Sequence, residues 1–178
     1  YSKGKVKSKV IIEKCSKKLE GTEISFIPDK SIFEFISFNP NKLYQFIKMK
    51  AVLVKSTSVN FNIDKELIKD STPSKEIFFY KKGIEEFIEE KSKNKVKLLD
   101  KYFSIKYKIN QNEFFETVIT FNNNEKSFFR SYCNTIETPD GGSHENGIKN
   151  GIVKAIKLYG RKNQFGKISN ININDVID

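Results

Sequence analysis

The sequence of 178 residues has few of the residue types that build metal centres and disulfide frameworks. It contains one His, His144, and two Cys, Cys15 and Cys133, whose separation matches no metal-binding spacing. A single His excludes a multi-His metal site, and two distant Cys fit a reducing cytosol. Nothing near either Cys indicates a lowered thiol pKa, so both are predicted to be small buried apolar residues.

Long apolar runs are also missing from the sequence. No run approaches the roughly 18 residues that a membrane-spanning helix needs, so we expect no membrane association and a cytoplasmic location. The start, Tyr1-Ser2-Lys3-Gly4-Lys5, has neither an initiator Met nor an apolar segment behind it, and it resembles neither a signal peptide nor a natural N terminus. The hydrophobic content of 38%, with 13% aromatic residues, is enough for the core of one medium domain or two small ones.

Arginine is almost absent from a strongly basic chain. The formal net charge is +10, from 32 basic and 22 acidic residues, but only Arg130 and Arg161 are Arg. A protein that reads nucleic-acid bases would be expected to use more Arg, because the planar guanidinium grips phosphates and guanine edges. The Lys excess therefore permits contact with a polyanion without demonstrating it, and a coding bias towards Lys, Asn, Ile and Phe explains it equally well.

Hydrophobic periodicity divides the first part of the chain into short elements. Asn39-Pro40-Asn41 is typical of a helix start, with Asn39 or Asn41 as the capping residue. Alternating apolar and polar residues predict strands on either side of that helix. The predicted strands are 6–14, with Lys5, Lys7 and Lys9 on one basic face, then 22–28, 57–63 and 76–80, the last preceded by a loop at 70–74.

The pattern changes at Gly83. We predict a short helix over 83–91, whose four Glu form a solvated face, followed by a Lys-rich connector. The remaining predicted elements are strands at 102–109, 113–121 and 128–136 with a hairpin turn at 122–124, a turn at 138–142, a helix over 143–162 capped by Ser143 and a last helix beginning at 174–175. The three strands are expected to form one sheet covered by the long helix. Strands and helices without strict alternation predict an α+β fold.

Two stretches carry a family resemblance. Gly21-Thr22-Glu23-Ile24-Ser25-Phe26-Ile27-Pro28-Asp29 is similar to the G-T-x-V-x-F-x-P-D segment of the B subunits of bacterial type IIA DNA topoisomerases, which are gyrase and topoisomerase IV. The stretch from Tyr132 to Gly147 closely resembles their N-T-x-x-T-x-x-G-G-T-H-x-x-G signature, with Ser143 in place of the usual Thr. The resemblance spans essentially the whole chain, and the segments between the two stretches favour topoisomerase IV.

The resemblance implies a fold, a function and a set of partners. Residues 1–82 would be the end of a GHKL-type ATPase domain, a mixed sheet with helices. Residues 83–178 would be the first part of a transducer domain of ribosomal-protein-like β-α fold, a sheet covered by helices on one face. The whole subunit would couple ATP binding and hydrolysis to DNA strand passage, using ATP and Mg²⁺. Its partners would be DNA, the DNA-cleaving A subunit and a second copy bound through the ATPase region.

One residue matches a nucleotide contact of the family. Thr22 corresponds to the threonine that contacts the adenine end of the nucleotide through its hydroxyl and a bridging water, whereas without the resemblance Thr22 would simply begin a strand. The resemblance places the general-base Glu, the Mg²⁺-binding Asn and the ATP lid before Tyr1, and the transducer Lys after Asp178. No catalytic residue and no metal ligand is therefore expected within the chain, which alone should not hydrolyse ATP. His144 is expected to make a structural hydrogen bond at a helix start.

Lys and Arg on the long helix are the candidates for DNA contact. They are Lys149, Lys154, Lys157 and Arg161, and a second group comprises Lys3, Lys5, Lys7 and Lys9. Contacts of this kind would be made to phosphates, so they would be salt-sensitive and blind to sequence. An ordinary solvated surface is the alternative interpretation. For the chain as a whole, the alternatives are a stand-alone basic α+β module that binds nucleic acid without catalysis, or a non-functional gene relic.

Overall fold

A computed structural model describes residues 1–2, 4–14, 16, 20–123 and 127–177, so Lys3 and Cys15 lie outside the described residues. The chain is α+β. Its helices are α1 (Pro40–Leu53), α2 (Ile84–Ser92), α3 (Ser143–Lys162) and α4 (Asn174–Ile177), with short 3-10 turns at Lys65–Leu67 and Gly166–Asn170. Its strands are β1 (Val59–Asn62), β2 (Lys75–Phe78), β3 (Phe103–Lys108), β4 (Phe114–Ile119), β5 (Tyr132–Cys133) and β6 (Ile136–Glu137).

Local sequence explains where α1 begins. The Asn39 side chain accepts a hydrogen bond from the Lys42 backbone N–H at 2.9 Å, and Pro40 occupies the first helical position. This combination satisfies one free N–H and presets the backbone for a helix. The predicted start and cap are thus confirmed. Ala51 and Val52 lie in the last turn of the helix and are both fully buried.

The core lies where α1 covers an antiparallel pair of strands. β1 pairs with β2, and Val59 lies opposite Phe78. The buried cluster consists of Ala51, Val52, Phe61, Phe78, Tyr80 and Phe87. The Tyr44 ring packs edge-on against Phe61 and Phe78, and its hydroxyl donates to Glu76 at 2.6 Å. Because Phe87 belongs to α2, this core extends past residue 82 and ties α2 to α1.

The second half of the chain forms a two-stranded sheet. β3 and β4 are antiparallel over six residue pairs, from Phe103 opposite Ile119 to Lys108 opposite Phe114. The predicted three-stranded sheet covered by the long helix is wrong: β3 and β4 pair with each other alone among the described strands, and the helix that packs against β4 is α2. The C-terminal end of α3 instead packs on the 3-10 turn after it, where Ile168 lies against Gly160.

The two strands predicted before α1 are absent from the described residues. Residues 6–14 and 22–28 have no regular structure, apart from a single bridge between Ser2 and Lys5 close to the first of them. Their apolar side chains are open to solvent, as shown by Ile12 at 92% and Ile27 at 90% exposure. A strand is stable only when a neighbouring strand completes its backbone hydrogen bonds. Alternation in the sequence indicates a potential strand, but it does not supply the neighbour.

Several finer predictions also need correction. The single strand predicted over 128–136 is a hairpin, because the chain reverses at Asn134 and Thr135 between β5 and β6. Gly142 is the residue that precedes α3, so Ser143 is its first helical residue and not its cap. Cys133, predicted to be buried, is exposed. The turn predicted at 122–124 includes Asn124, which lies outside the described residues.

The Glu side chains of α2 form the predicted solvated face only in part: Glu89 is exposed, whereas Glu85 and Glu90 contact neighbouring elements. Glu85 accepts hydrogen bonds from Ser104 Oγ at 2.7 Å and from Lys106 Nζ at 2.8 Å, both on β3. The pKa of Glu85 falls from its usual 4.5 to about 2, chiefly through the hydrogen bond from Lys106 and then that from Ser104. Glu90 accepts from Lys48 and Tyr80. These Glu anchor α2 to its neighbours.

Candidate functional site

The signature stretch folds into a hydrogen-bonded turn that joins the β5–β6 hairpin to α3. Ser131 Oγ lies 2.6 Å from Thr138 Oγ1 and donates to Glu145 Oε2 at 3.2 Å. The Gly141 backbone N–H donates to the Thr138 carbonyl at 2.9 Å, which closes the turn. Lys149 then donates to Glu145 Oε1 at 2.6 Å. The hydrogen bond from Lys149 lowers the pKa of Glu145 below its usual value.

His144 has a definite place in this turn. Its Nε2 lies 3.3 Å from Thr138 Oγ1, which confirms the predicted hydrogen bond at the helix start. The ring occupies space that only Gly at position 142 leaves free, because a Cβ there would come within 2.8 Å of His144 Cε1. Gly141 has φ of +74°, and a Cβ on it would come within 3.0 Å of Glu145. The paired glycines of the signature thus make room for His144 and Glu145.

The tip of the β5–β6 hairpin has an uncommon backbone. Asn134 and Thr135 have φ of +48° and +68°, the pattern of a tight two-residue hairpin turn. Asn tolerates this region, but β-branched Thr135 is strained there. Lys50 of α1 donates to the Thr135 carbonyl at 2.6 Å. A contact from outside the hairpin therefore holds the strained residue.

The four cations predicted on the long helix do not act as one group. Lys154, Lys157 and Arg161 recur at spacings of three and four residues, so they share one side of α3. Lys154 and Arg161 are exposed, and Lys157 is half-buried. Lys149 is turned to the N-terminal turn, where it pairs with Glu145 and lies 4.7 Å from the centroid of the Phe129 ring. The remaining positive face is thus formed by three residues. We call Lys154, Lys157 and Arg161 the basic face of α3.

Thr22 lies in the extended segment before α1, apart from these elements. It is exposed, and no hydrogen bond involves its hydroxyl within the described part of the chain. The same segment lines an open, mostly apolar cavity of about 460 Å³, bounded by residues such as Phe26, Asp29 and Phe38. Thr22 itself is not part of that lining.

The described residues contain no cluster of three or more His, Cys, Asp or Glu that could hold a metal ion. They also include no helix long and apolar enough to cross a membrane.

Three residues of this site were not predicted from the sequence: Ser131, Thr138 and Lys50. Glu145 and Lys149 are four residues apart on a helix, a spacing that could have indicated their ion pair from the sequence. Lys50 could not have been found in this way, because its partner Thr135 is 85 residues away.

Comparison with known proteins gives consistent matches. The family model described as DNA gyrase B matches residues 83–178. The chain is 34% identical to the B subunit of DNA topoisomerase 4 from Rickettsia felis over 181 aligned residues, covering 100% of this chain and 27% of that protein. It is 29% identical to the same subunit of Caulobacter vibrioides, covering 99% of this chain and 26% of the relative. The chain therefore spans about a quarter of the length of these relatives.

Two solved structures share the fold. The B subunit of DNA gyrase from Myxococcus xanthus superimposes with a TM-score of 0.66 at 16% identity, covering 82% of this chain and 42% of that chain. The 43K ATPase domain of Thermus thermophilus gyrase B, in complex with an aminocoumarin, superimposes with a TM-score of 0.57 at 25% identity, covering 78% and 36%. These likenesses confirm the expected fold class, an α+β chain of the type found in the ATPase and transducer regions of gyrase B.

Proposed function

The chain belongs to the DNA gyrase B family, and we propose that it forms part of the ATP-operated B subunit of a type IIA DNA topoisomerase. The observation that carries this proposal is the 34% identity to the B subunit of a topoisomerase 4 over the whole of this chain. In such a subunit the chain would help to couple ATP binding and hydrolysis to the passage of one DNA duplex through another. The partners would be duplex DNA, the DNA-cleaving A subunit and a second copy of the B subunit, and the location would be the cytoplasm.

We assign the two halves of the chain to different tasks. Residues 1–82 would complete a GHKL-type ATPase domain, and residues 83–178 would begin the transducer domain. In support, the family match starts at residue 83. At the same position Gly83 has φ of +63° and directly precedes α2.

Thr22 would contact the adenine end of ATP, with Mg²⁺ bound to the phosphates by residues outside this chain. Its exposed hydroxyl and its position in the segment that resembles the family's G-T-x-V-x-F-x-P-D sequence support this role. Alone, the 178-residue chain is predicted to show no ATP turnover, because one hydroxyl cannot supply the base, metal and charge clamp of phosphoryl transfer.

A chimeric subunit tests the proposed function. The 178 residues would replace the matching segment of the Rickettsia felis protein, and ATP-dependent decatenation of DNA would be assayed with the cognate A subunit. We expect a working chimera, in which Thr22→Val weakens ATP binding roughly tenfold through the lost hydrogen bond, while Thr22→Ser keeps the hydroxyl and binds normally. A chimera that folds and dimerises but neither hydrolyses ATP nor changes DNA topology would contradict the proposal.

DNA contact is assigned to the basic face of α3, Lys154, Lys157 and Arg161, with Lys149 as a lesser contributor because Glu145 already neutralises it. The exposure of two of the three cations supports this assignment. The same face favours a second candidate function, a basic module that binds nucleic acid without catalysis.

Salt dependence tests the basic face directly. Binding of duplex DNA by the 178-residue chain would be measured across salt concentrations for the triple variant Lys154→Gln/Lys157→Gln/Arg161→Gln. The control Lys42→Gln/Lys65→Gln/Lys69→Gln removes the same charge from exposed positions elsewhere. Each lost phosphate contact reduces the slope of log affinity against log salt by about 0.9, so we expect a drop of about 2 to 3 for the first variant alone. Equal slopes for both variants would contradict the assignment of DNA contact to the basic face of α3. DNA binding together with an inactive chimera would favour the second candidate.

A further inference from the structure

Two Lys of α1 and a third just past its end extend to three different elements beyond Gly83. Lys48 Nζ pairs with Glu90 of α2 at 2.6 Å. Lys50 Nζ donates to the Thr135 carbonyl in the β5–β6 hairpin at 2.6 Å. Lys55, two residues past the end of α1, pairs with Glu116 of β4.

These contacts differ from ordinary surface ion pairs, which contribute little because water screens both charges. In each of the two ion pairs one partner is largely shielded: the Lys48 side chain is 16% exposed, and that of Glu116 is 15% exposed. Glu116 is also approached by Lys106 at 3.6 Å, and Glu90 accepts a second hydrogen bond from Tyr80 at 3.0 Å. The Lys therefore join existing polar networks.

The backbone at the boundary is built around one of these Lys. A Cβ on Gly83 would lie 2.6 Å from Lys55 Cε and 2.7 Å from Lys55 Cγ. The Lys55 stem thus crosses directly over Gly83 on its way to Glu116. The missing side chain at position 83 provides the space for it.

We propose that α1 and the residues just past its end form a coupling segment, in which Lys48, Lys50 and Lys55 fix α2, the β5–β6 hairpin and β4 in one arrangement relative to the core of residues 40–80. A displacement of α1 then moves all three elements together. Lys50 has a particular role, because it holds the strained Thr135 and, through the hairpin, the Ser131–Thr138–His144 turn at the start of α3. This arrangement does not depend on whether the protein changes DNA topology.

Hydrogen–deuterium exchange on the 178-residue chain tests the coupling. Each single variant should accelerate exchange in its own partner element: Lys48→Met in 84–92, Lys50→Met in 131–138 and Lys55→Met in 114–119. We expect roughly threefold to tenfold faster exchange there, with the β1–β2 amides unchanged. Lys42→Met is the matched control, since Lys42 is an exposed Lys of the same helix. Lys50→Arg keeps a donor and should restore wild-type exchange in the hairpin.

A simple contribution to overall stability would give a different pattern. All segments, including β1–β2, would then exchange faster by the same factor in every variant, and that result would overturn the proposal. Exchange in all three variants equal to that of Lys42→Met would overturn it as well. If Lys50→Met does not fold, Lys50→Gln, which keeps a shorter polar side chain, is compared with Lys50→Arg for the same segment.

Discussion

Substitution of Gly83 by Ala is the sharpest test of how the two halves of the chain are joined. Gly83 is buried, with φ of +63° and ψ of −125°, a conformation that residues with a side chain rarely adopt. An Ala Cβ would also lie 3.0 Å from the Val52 carbonyl oxygen and less than that from Lys55. The backbone oxygen cannot move freely, whereas the Lys55 side chain can, but only by leaving Glu116.

The expected cost of Gly83→Ala follows from these contacts. Backbone strain contributes about 1–3 kcal/mol. Displacement of Lys55 from a partly exposed ion pair adds about 0.5–1 kcal/mol. We therefore expect the free energy of unfolding to fall by about 1.5–4 kcal/mol, measured by urea denaturation followed by far-UV circular dichroism.

Two Gly of α3 provide a control in which substitution by Ala should raise the free energy of unfolding. Gly147 and Gly151 are exposed helical residues, and a Cβ on either would meet nothing within 4 Å. Ala at these positions should stabilise the chain by about 0.5–1 kcal/mol each, because it restricts the unfolded chain and favours the helix. In a Lys55→Ala background, Gly83→Ala should cost roughly 1 kcal/mol less, since the colliding atoms are gone. If Gly83→Ala is as stable as wild type, or if it lowers the free energy of unfolding equally in both backgrounds, the proposed close packing at Gly83 is refuted.

Three further predictions concern packing and charge. Phe87→Ala removes a buried ring and should cost about 3–5 kcal/mol in urea denaturation, whereas Phe114→Ala, at a ring that is 78% exposed, should cost less than about 1 kcal/mol. Gly160→Ala places a Cβ 2.5 Å from Ile168 Cγ2 and should destabilise the end of α3 by about 1–3 kcal/mol. An unchanged free energy of unfolding would contradict the close packing of Ile168 on Gly160. The pKa of Glu85 is lowered from 4.5 to about 2, so its stabilisation is present above 4.5 and is lost as the pH falls towards 2. The stability difference between wild type and Glu85→Gln should therefore shrink across that interval, and a constant difference would contradict the assignment.

The parts of the fold that local sequence determines were predictable. The Asn39-Pro40 start of α1 and the strands around Phe61 and Phe78 depend on capping and on apolar spacing within a few residues. The strands predicted at 6–14 and 22–28 failed because pairing depends on a neighbour that periodicity does not specify. The β5–β6 hairpin was missed because Asn134-Thr135 lacks the Gly that normally marks such a turn.

The polar anchors were the least predictable part of the candidate site. Glu85 and Glu90 have the spacing of a solvated helix face, and only the fold brings Lys106 and Lys48 to them. The same limit applies to the basic face of α3. The spacing of Glu145 and Lys149 indicates their ion pair, but the sequence could not show that Lys154 is exposed while Lys157 is half-buried.

The short connection between β2 and α2 affects the strength of the contacts that Lys48, Lys50 and Lys55 make with residues beyond Gly83. Five residues, 79–83, separate the end of β2 from the start of α2. A tether of this length keeps the partners at an effective concentration on the order of millimolar or more, so an ion pair too weak to form between separate molecules is formed most of the time within one chain. Lengthening the tether with a few flexible residues would weaken the contacts of Lys48, Lys50 and Lys55 together without altering a single contacting side chain.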